Sequence, residues 1–449
     1  MTEPGIDNIG MDNIGVDKAG GGMISPQEAA ARVGAGLAAR RAREKRFRAY
    51  GRIAIGIALA FLVTLFVSIF SKGIPGFFQH YVTLDVTLDS ARLDPTGDLS
   101  VQSLYDGDAR GVIRAALYDA TGASGRSGRK AAGKIISAGA EQRLRNAVLD
   151  NPEILDTTQR MTFAVDDDVD SFLRGFIKRE TPEKDRRIND RMIGYIDALQ
   201  EQGLISFEFS DYLIFGSASR NAEMAGIYGA LIGSLLTLAV CLVLSFPIGV
   251  ATAIYLEEFA PKNRITEIIE ININNLAAVP SVVFGILGLA IFIGIFGMPR
   301  SIPLIGGVVL ALMTLPTIII SSRAAIRAVP PSIRDAALGV GASRVQTMLH
   351  HVVPLAMPGM LTGTIIGMAQ ALGETAPLLM IGMVAFIVDV PGSVTDPGTV
   401  LPVQIFMWAD FAERMFVLKT SAAIMVLLAF LILMNAAAIF VRKKLERRW

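Results

Sequence analysis

The 449-residue sequence contains little cysteine and little charge. Its single cysteine, Cys241, lies inside an apolar run, which excludes a disulfide framework and a cysteine-based metal site. Charged residues make up 18% of the chain, against about 25% in ordinary soluble proteins. The formal net charge of +1 excludes a strongly basic nucleic-acid binder and a strongly acidic tail protein.

Apolar residues are abundant instead, at 52% of the chain, with a mean hydropathy of +0.49. A bilayer core of about 30 Å is spanned by about 20 apolar residues in a helix. The runs that meet this length are 53–70, 227–254, 276–298, 302–320, 360–388 and 421–441. The sequence therefore predicts an all-α polytopic membrane protein with about six transmembrane helices.

Lysine and arginine are concentrated on one side of this topology. They crowd residues 40–52, before the first run, and residues 442–448, after the last. Cytoplasmic flanks carry such an excess, so both termini are predicted to be cytoplasmic. The first run is predicted to be a retained anchor, because a long segment precedes it and no A-x-A-like cleavage site follows Phe70.

Composition divides the chain into segments. The glycine-rich, Asp/Asn-rich residues 1–24 are predicted to be disordered. A basic cytoplasmic helix over 25–52 leads into the first transmembrane helix over 53–71. A polar insertion, 72–221, follows outside the membrane, and the remaining spans occupy 222–441 with a cytoplasmic loop over 323–357. A basic tail, 442–449, closes the chain.

The insertion is predicted to be an α+β domain. Residues 81–88 alternate like an edge or half-buried strand, and 140–149 and 184–202 are predicted helices. The second of these helices places Ile188, Met192, Ile193 and Ile196 on one face. The insertion serves either as a contact for a soluble partner or as a spacer or stabilising cap, and the residues slightly favour the second.

One segment of the insertion resembles a phosphate-binding loop by chance. Residues 128–135 nearly fit G-x-x-x-x-G-K-[ST], but Ile135 replaces the hydroxyl that holds Mg²⁺, and no strand-like run precedes the segment. Nucleotide binding is therefore not predicted here, and the chain is expected to bind no cofactor itself.

The cytoplasmic loop predicts a helix, a glycine turn and a second helix. Pro331 suits a first turn, Ser332 with Asp335 suggests a cap, and Gly339 and Gly341 permit the turn. Ser343 is predicted to cap a second helix that ends at Pro354, with an apolar stripe of Val345, Met348, Leu349 and Val352.

The turn is expected to expose small side chains. Ala336 and Ala337 are predicted to lie exposed at the elbow, where small residues let another chain approach closely. Docking into a partner's groove and lying on lipid headgroups are about equally compatible with these residues.

Several runs carry a family resemblance. Asp335-Ala336-Ala337, followed after three residues by Gly341 and distally by Pro354, resembles the "EAA" loop of ABC-importer permeases, with Asp335 where glutamate is usual. Residues 225–230, 246–250, 255–258, 279–285 and 371–379 are similar to PstA-type permease subunits of bacterial phosphate importers. The insertion resembles an extension of unknown function on some such permeases.

This resemblance implies a fold, partners and roles. It implies a type I ABC-importer permease fold in the inner membrane, whose coupling helix sits in a cleft of a cytoplasmic ATPase. The implied coupling residues are Asp335, Ala336, Ala337, Gly341 and Ser343. The implied partners are a homologous PstC-type permease, a PstB-type ATPase dimer that holds ATP and Mg²⁺, and a PstS-type periplasmic phosphate-binding protein. No catalysis is expected in this chain.

A substrate pathway is predicted near the one acidic residue deep in an apolar run, Glu374. A charge at that depth costs at least about 2.5 kcal/mol, so it is expected to face a cavity or a partner. Gly373 and Pro377 would let the helix open and free backbone N–H groups for an anion. The alternative is a buried glutamate that only ties helices together.

The family's Gly-Glu-Thr run maps onto Gly373, Glu374 and Thr375. Many PstA-type permeases have arginine where this chain has Ile320 and Gln370. Arg323 either substitutes for these arginines or is a simple flanking charge.

Phosphate import driven by a separate ATPase is therefore the predicted function. Import of another oxyanion, such as molybdate or sulfate, is the alternative within this class. An ion-coupled secondary transporter and a membrane-anchored receptor are the less favoured classes.

Overall fold

The computed structural model describes residues 26–384 and 386–445, so the predicted tail over 1–24 lies outside the described residues. The chain divides into two units, residues 1–67 and 68–449. The first unit contains most of helix α1 (Pro26–Gly73). The predicted basic helix and first span form this one continuous helix, because no proline interrupts residues 27–73.

The segment after α1 contains both strands and helices, and the described residues that follow it form helices only. The strands are β1 (Phe78–Thr87), β2 (Thr158–Ala164) and β3 (Ile205–Phe209). The helices of the insertion are α2 (Ser90–Leu93), α3 (Val101–Asp106), α4 (Ala109–Thr121), α5 (Gly125–Ala132), α6 (Ala140–Asp150), α7 (Asp167–Leu173), α8 (Asp190–Glu201) and α9 (Asp211–Phe215). The later helices are α10 (Tyr228–Ile254), α11 (Arg264–Ala277), α12 (Ser281–Gly288), α13 (Pro303–Arg327), α14 (Pro331–Gly339), α15 (Arg344–Thr347), α16 (Val353–Gly373), α17 (Ala376–Met380), α18 (Leu401–Ala409) and α19 (Arg414–Leu445).

The insertion domain, residues 74–227, is built on a small antiparallel sheet in the order β2-β1-β3. β1 is thus the central strand, and of the two predicted alternatives, an edge or a half-buried strand, the half-buried one is confirmed: Val82, Leu84 and Val86 are buried, whereas Asp85 and Thr87 are exposed. The core between the sheet and helices α4, α6 and α8 contains the predicted apolar face of α8. That helix begins at Asp190 rather than at 184, because Asn189 caps it by accepting from the Met192 N–H.

Among the described residues, five helices are long and apolar enough to cross a membrane, or six if one bent pair is counted as a span. The protein is therefore a multi-pass membrane protein of helical fold, as predicted. The bent pair is α11 with α12 and its π-helical extension, at an angle of 102°. The predicted third span, 276–298, covers mainly the second arm of this pair, because the chain bends at Pro280, which lacks an N–H.

The fifth span also differs from its predicted bounds of 360–388. It runs from Arg344 to Gly373, and the helix passes through Pro354 instead of ending there. Pro354 lies in the first turn of α16, directly after a π-helical turn over Met348–Val352, where its missing N–H breaks no α-helical hydrogen bond.

Helices α10, α13 and α16 pack directly on one another. A Cβ at Gly307 of α13 would lie 2.5 Å from Val240 Cβ of α10, and a Cβ at Gly363 of α16 would overlap the Ser321 hydroxyl of α13. Close helix approach through small residues is the usual way that membrane helices associate. The same contacts align Gly359 with Ala325 and Gly367 with Thr314, so α13 and α16 run antiparallel.

A buried lysine joins α19 to the end of the insertion domain. Lys419 is fully buried, and its Nζ donates to the Glu223 carbonyl at 3.2 Å and to the Ala225 carbonyl at 2.9 Å. These two bonds fix the chain where it leaves the insertion for α10.

We expect Lys419→Met to destabilise the protein, because the shape is kept while two buried carbonyls lose their donor. A buried acceptor without a partner costs about 1–3 kcal/mol. Thermal unfolding of the detergent-solubilised chain should show a lowered midpoint, whereas Lys443→Met, at an exposed lysine of the same helix, should leave it unchanged. Equal midpoints for both variants would contradict the anchoring role.

Two acids at the start of α7 are held away from water. Burial raises the pKa of Asp167 to about 7, with further repulsion from Asp168 and Glu223, and burial raises that of Asp166 to about 6. In the native state these carboxyls bind protons that the unfolded chain releases near pH 4. Their contribution to stability is therefore full below about pH 4 and is lost as the pH rises towards 7.

Asp167→Asn should consequently stabilise the protein at pH 8 by on the order of 1 kcal/mol, with a much smaller effect at pH 5. The measurement is the thermal midpoint of the detergent-solubilised chain at both pH values. Asp150→Asn, at an exposed aspartate, is the control. A gain that is the same at pH 5 and pH 8 would rule out the titration as its cause.

Candidate functional site

The loop between α13 and α16 folds as two short helices that meet at an elbow. We name residues 331–352 the elbow segment. α14 begins at Pro331 and ends at Gly339, and Gly341 follows with φ of +91°, a conformation that favours glycine. The predicted order of helix, glycine turn and helix is confirmed.

The second half of the elbow is capped as the sequence predicts. Ser343 Oγ accepts from the Gln346 N–H at 3.2 Å, and Gln346 Oε1 accepts from the Ser343 N–H at 2.9 Å. This reciprocal capping box satisfies two N–H groups of the helix end. The predicted cap by Ser332 and Asp335 is wrong, since Pro330 occupies the N-cap and offers no side-chain acceptor.

The predicted coupling residues differ in their exposure. Asp335, Ala336, Gly341 and Ser343 are exposed, whereas Ala337 is only 5% exposed. The expectation that Ala337 lies open at the elbow is therefore wrong: on a helix of nine residues, the position after Ala336 turns towards the rest of the chain.

Apolar side chains surround the exposed elbow. We name this set the elbow patch: Leu338, Val340, Val345 and Leu349. Val340, at the tip, is 87% exposed. The predicted apolar stripe thus divides, because its other members, Met348 and Val352, are buried against Ile326 and Val329 at the end of α13.

A cluster of ion pairs joins the helix ends beneath the elbow. Arg323 of α13 bonds Glu257 Oε2 at 3.2 Å and Glu270 Oε1 of α11 at 2.7 Å. Arg327 bonds the other oxygen of Glu257 at 2.7 Å. The side chains of Arg323 and Glu257 are 13% and 17% exposed, so this pairing is better shielded from water than a surface pair.

The elbow itself is tied into this cluster through Arg334. Its guanidinium donates to the Val329 and Ile326 carbonyls at 2.8 and 2.9 Å, and it lies 3.5 Å from Glu258. α14 is thereby bonded to the C-terminal end of α13 and to the end of the α10 span. Movement of the elbow would be passed to both helices, because the bonds leave α14 little freedom of its own.

Sequence reasoning missed this cluster. In the sequence, Glu257 and Glu258 stood out only as part of the family-like run 255–258. The sequence does contain a signal: the adjacent acids Glu257 and Glu258 follow one span, and two arginines spaced by four, Arg323 and Arg327, end another. Which charges pair depends on how α10, α11 and α13 pack.

The predicted pathway residues lie at the far end of α16. The helix ends at Gly373, Glu374 is extended at φ −82° and ψ 117°, and α17 begins at Ala376. Gly373 and Gln370 are exposed, whereas Glu374 and Thr375 are half-buried. Among the described residues, no hydrogen bond or ion pair involves the Glu374 carboxylate.

The break after Gly373 packs closely on α12. A Cβ at Gly285 would lie 2.6 Å from Pro377 Cα and 2.8 Å from its carbonyl oxygen. α12 and α17 are two short helices that each follow a break in a helix, and they pack directly on each other here. Discontinuous helices that leave backbone groups unpaired are a common way of building a transport site.

Arg323 is not part of this group. The antiparallel contacts of α13 with α16 place Thr314 beside Gly367 and Ser321 beside Gly363, so Arg323 lies towards the elbow and Glu374 beyond the opposite end of α16. That helix alone is about 30 Å long. The guanidinium of Arg323 also forms ion pairs with two carboxylates, those of Glu257 and Glu270.

Family models match two parts of the chain. Residues 34–183 match the model described as "Domain of unknown function (DUF3333)". Residues 245–449 match "Binding-protein-dependent transport system inner membrane component". The first match ends inside the insertion domain, and the second begins within α10.

Known relatives are similar to parts of the chain. A probable ABC transporter permease, YqgI of Bacillus subtilis, is 34% identical over 39% of this chain and 58% of its own length. Phosphate transport system permease PstA 1 of Mycobacterium tuberculosis is 29% identical over 50% of this chain and 72% of its own. Phosphate transport system permease PstC of Haemophilus influenzae is 32% identical over 38% and 62%. The chain thus spans little more than half the length of YqgI.

Among solved structures, an inward-facing form of the MetNI methionine ABC transporter is similar at a TM-score of 0.40 and 17% identity. It covers 48% of this chain and 95% of its own.

Proposed function

We propose that this chain is the permease subunit of an ATP-driven importer of inorganic phosphate, because residues 245–449 match the model of binding-protein-dependent transport system inner membrane components and a PstA-type permease is 29% identical over half of the chain. It acts in the inner membrane with both termini in the cytoplasm. The observation that carries the proposal is the elbow: an exposed apolar patch on a rigid hairpin, bonded through Arg334 and Arg323 to the ends of three helices.

The elbow supports a partner that supplies the energy. No ATP site is expected in this chain, so the energy would come from contact with a hydrolysing subunit. The elbow patch, with the exposed Asp335 and Ala336 near it, offers a surface for that contact. We infer that a PstB-type ATPase dimer grips the elbow patch and holds ATP and Mg²⁺. Closure of the dimer would displace α14, and the ion pairs would pass this displacement to α10, α11 and α13.

The helix breaks support a pathway at Glu374. The exposed faces of Gly373 and Gln370 would be covered by a homologous PstC-type permease, which places Glu374 on a shared path. In that position the carboxyl either orients a cation or, when protonated, donates to phosphate. A PstS-type binding protein would deliver the anion to the opposite face.

The test is uptake of labelled phosphate by vesicles that contain the assembled importer. We expect ATP-dependent uptake that fails when this chain is omitted. Uptake of molybdate or sulfate with no uptake of phosphate would overturn the substrate, and uptake driven by an ion gradient without ATP would overturn the class of transporter.

Glu374→Gln is expected to lower phosphate uptake about tenfold, a change of about 1.4 kcal/mol in the barrier, because the amide can neither ionise nor donate from a hydroxyl. The assembly of the importer should persist, since the Glu374 carboxylate makes no hydrogen bond or ion pair among the described residues. Asp389→Asn, at an exposed aspartate of the loop after α17, is the control. Normal uptake by Glu374→Gln would remove this side chain from the pathway.

A further inference from the structure

A hollow in the insertion domain is lined by basic side chains without ion-pair partners. It has a volume of about 870 Å³ and lies between α4, α5 and the turn after α5. Its charged lining residues are all cations: Arg114, Arg126, Arg129, Lys130 and Lys134. Tyr118 forms part of the wall, with the Arg129 guanidinium 5.6 Å from its ring centroid.

These cations differ from most of the other arginines of the domain. Eight arginines elsewhere in the described insertion lie within 4 Å of a carboxylate: Arg92, Arg110, Arg143, Arg145, Arg174, Arg179, Arg186 and Arg187. Among the described residues, none of the five cations of the hollow has such a partner. Two of them interact electrostatically with an acid beyond ion-pair distance: Arg114 with Asp108, and Lys134 with Asp166.

The local sequence explains why the charges gather here. Residues 124–134 read SGRSGRKAAGK and contain no acid. The small residues of α5 allow it to lie close to α8, where a Cβ at Gly128 would be 2.7 Å from the Tyr195 hydroxyl. With Gly128, Ala131 and Ala132 buried, the long basic side chains are left on the open side of the helix.

We propose that this hollow binds a multiply charged oxyanion of the phosphate class. All five cations are exposed, so an anion can reach them from solvent and would lower their mutual repulsion, and arginine forks match the paired oxygens of phosphate. The volume lies in the range of small-ligand sites, about 300–1,000 Å³. The segment that resembles a phosphate-binding loop by sequence is thus an anion site of a different kind, with side chains rather than a backbone cradle.

The assignment of phosphate as the anion rests on the proposed function, whereas the hollow stands on its own geometry. A site of this kind would hold phosphate at the insertion domain before it enters the membrane path. Binding at the hollow is measured without transport, so failure of one proposal leaves the other open to its own test.

The experiment measures protection of lysine amines in the full-length chain in nanodiscs of uncharged lipid. Acylation of Lys130 and Lys134 by an amine-reactive ester is followed by mass spectrometry, in phosphate or in chloride at equal ionic strength. We expect phosphate to slow acylation of both lysines at least fivefold. Lys184, exposed and outside the hollow, is the internal control and should react at the same rate in both salts.

Neutralising two arginines supplies the decisive comparison. Arg126→Gln with Arg129→Gln should raise the phosphate concentration for half-protection at least tenfold, because two guanidinium groups that can bond the phosphate oxygens are removed. Arg160→Gln with Arg191→Gln, at exposed arginines that line no part of the hollow, should not.

Equal protection in phosphate and chloride, or equal half-protection in the two double variants, overturns the proposal. If acidic vesicles or an acidic protein protect the lysines and phosphate does not, the hollow is a docking surface for that partner and the assignment to a small anion is wrong. Circular dichroism and the unchanged rate at Lys184 show that a variant remains folded.

Discussion

Val340→Asp should abolish phosphate uptake by preventing the ATPase from binding. Val340 is the most exposed member of the elbow patch, at 87%, and makes no contact that the fold depends on. Within an interface its side chain would be buried by the partner, and a carboxylate there would lose its water without gaining a cation. Disrupting a side chain at the centre of an interface costs about 2 kcal/mol or more of binding free energy, which raises the Kd roughly 30-fold.

Co-purification of the ATPase with this chain, followed by uptake, measures the effect. Val390→Asp is the matched control, because Val390 is also exposed, at 40%, but lies in the loop between α17 and α18. If the ATPase co-purifies equally with both variants, the elbow patch is not its docking surface.

The choice of Val340 depends on the structure. Ala337, which the sequence suggests as the exposed position, is 5% exposed, so an aspartate there would unfold the hairpin whether or not a partner binds. A negative result at Ala337 would not distinguish docking from folding. Val340→Asp does distinguish docking from folding, because the Val340 side chain is exposed.

The fold was largely predictable from the sequence where the length of an apolar run determines that a helix spans the membrane. α10, α13 and α19 contain the predicted runs, since about 20 apolar residues in a lipid core have no alternative to a helix. The helix breaks were harder to place. Pro280 interrupts a span and Pro354 does not, because Pro354 follows a π-helical turn that already releases the bond it would have made.

The site was predictable only as local geometry. Gly341 and Ser343 define a turn and a cap within a few residues, and both are present as expected. The Glu257 pairs join positions more than 60 residues apart, and the hollow depends on which basic side chains stay unpaired after folding. Neither follows from spacing along the chain.

Glu257→Gln should separate ATPase binding from transport. Glu257 accepts from both Arg323 and Arg327, so the amide weakens the bonds between α13 and the end of the α10 span while leaving the elbow patch intact. We expect the ATPase to co-purify and to hydrolyse ATP, but phosphate moved per ATP should fall about tenfold, equivalent to about 1.4 kcal/mol of lost coupling.

Glu267→Gln is the matched control, because Glu267 is an exposed acid on α11, the helix that also carries Glu270. Removing one partner of a shielded ion pair also lowers stability, so thermal midpoints of the assembled complexes must be compared. A Glu257→Gln complex that keeps its midpoint and its uptake per ATP would show that the ion pairs do not transmit the movement. Loss of uptake together with loss of the ATPase would mean that the pairs shape the docking surface instead. We propose that the elbow patch binds the ATPase and that the ion pairs of Glu257 transmit its movement. Val340→Asp should therefore block ATPase binding, whereas Glu257→Gln should block transport after ATP has been hydrolysed.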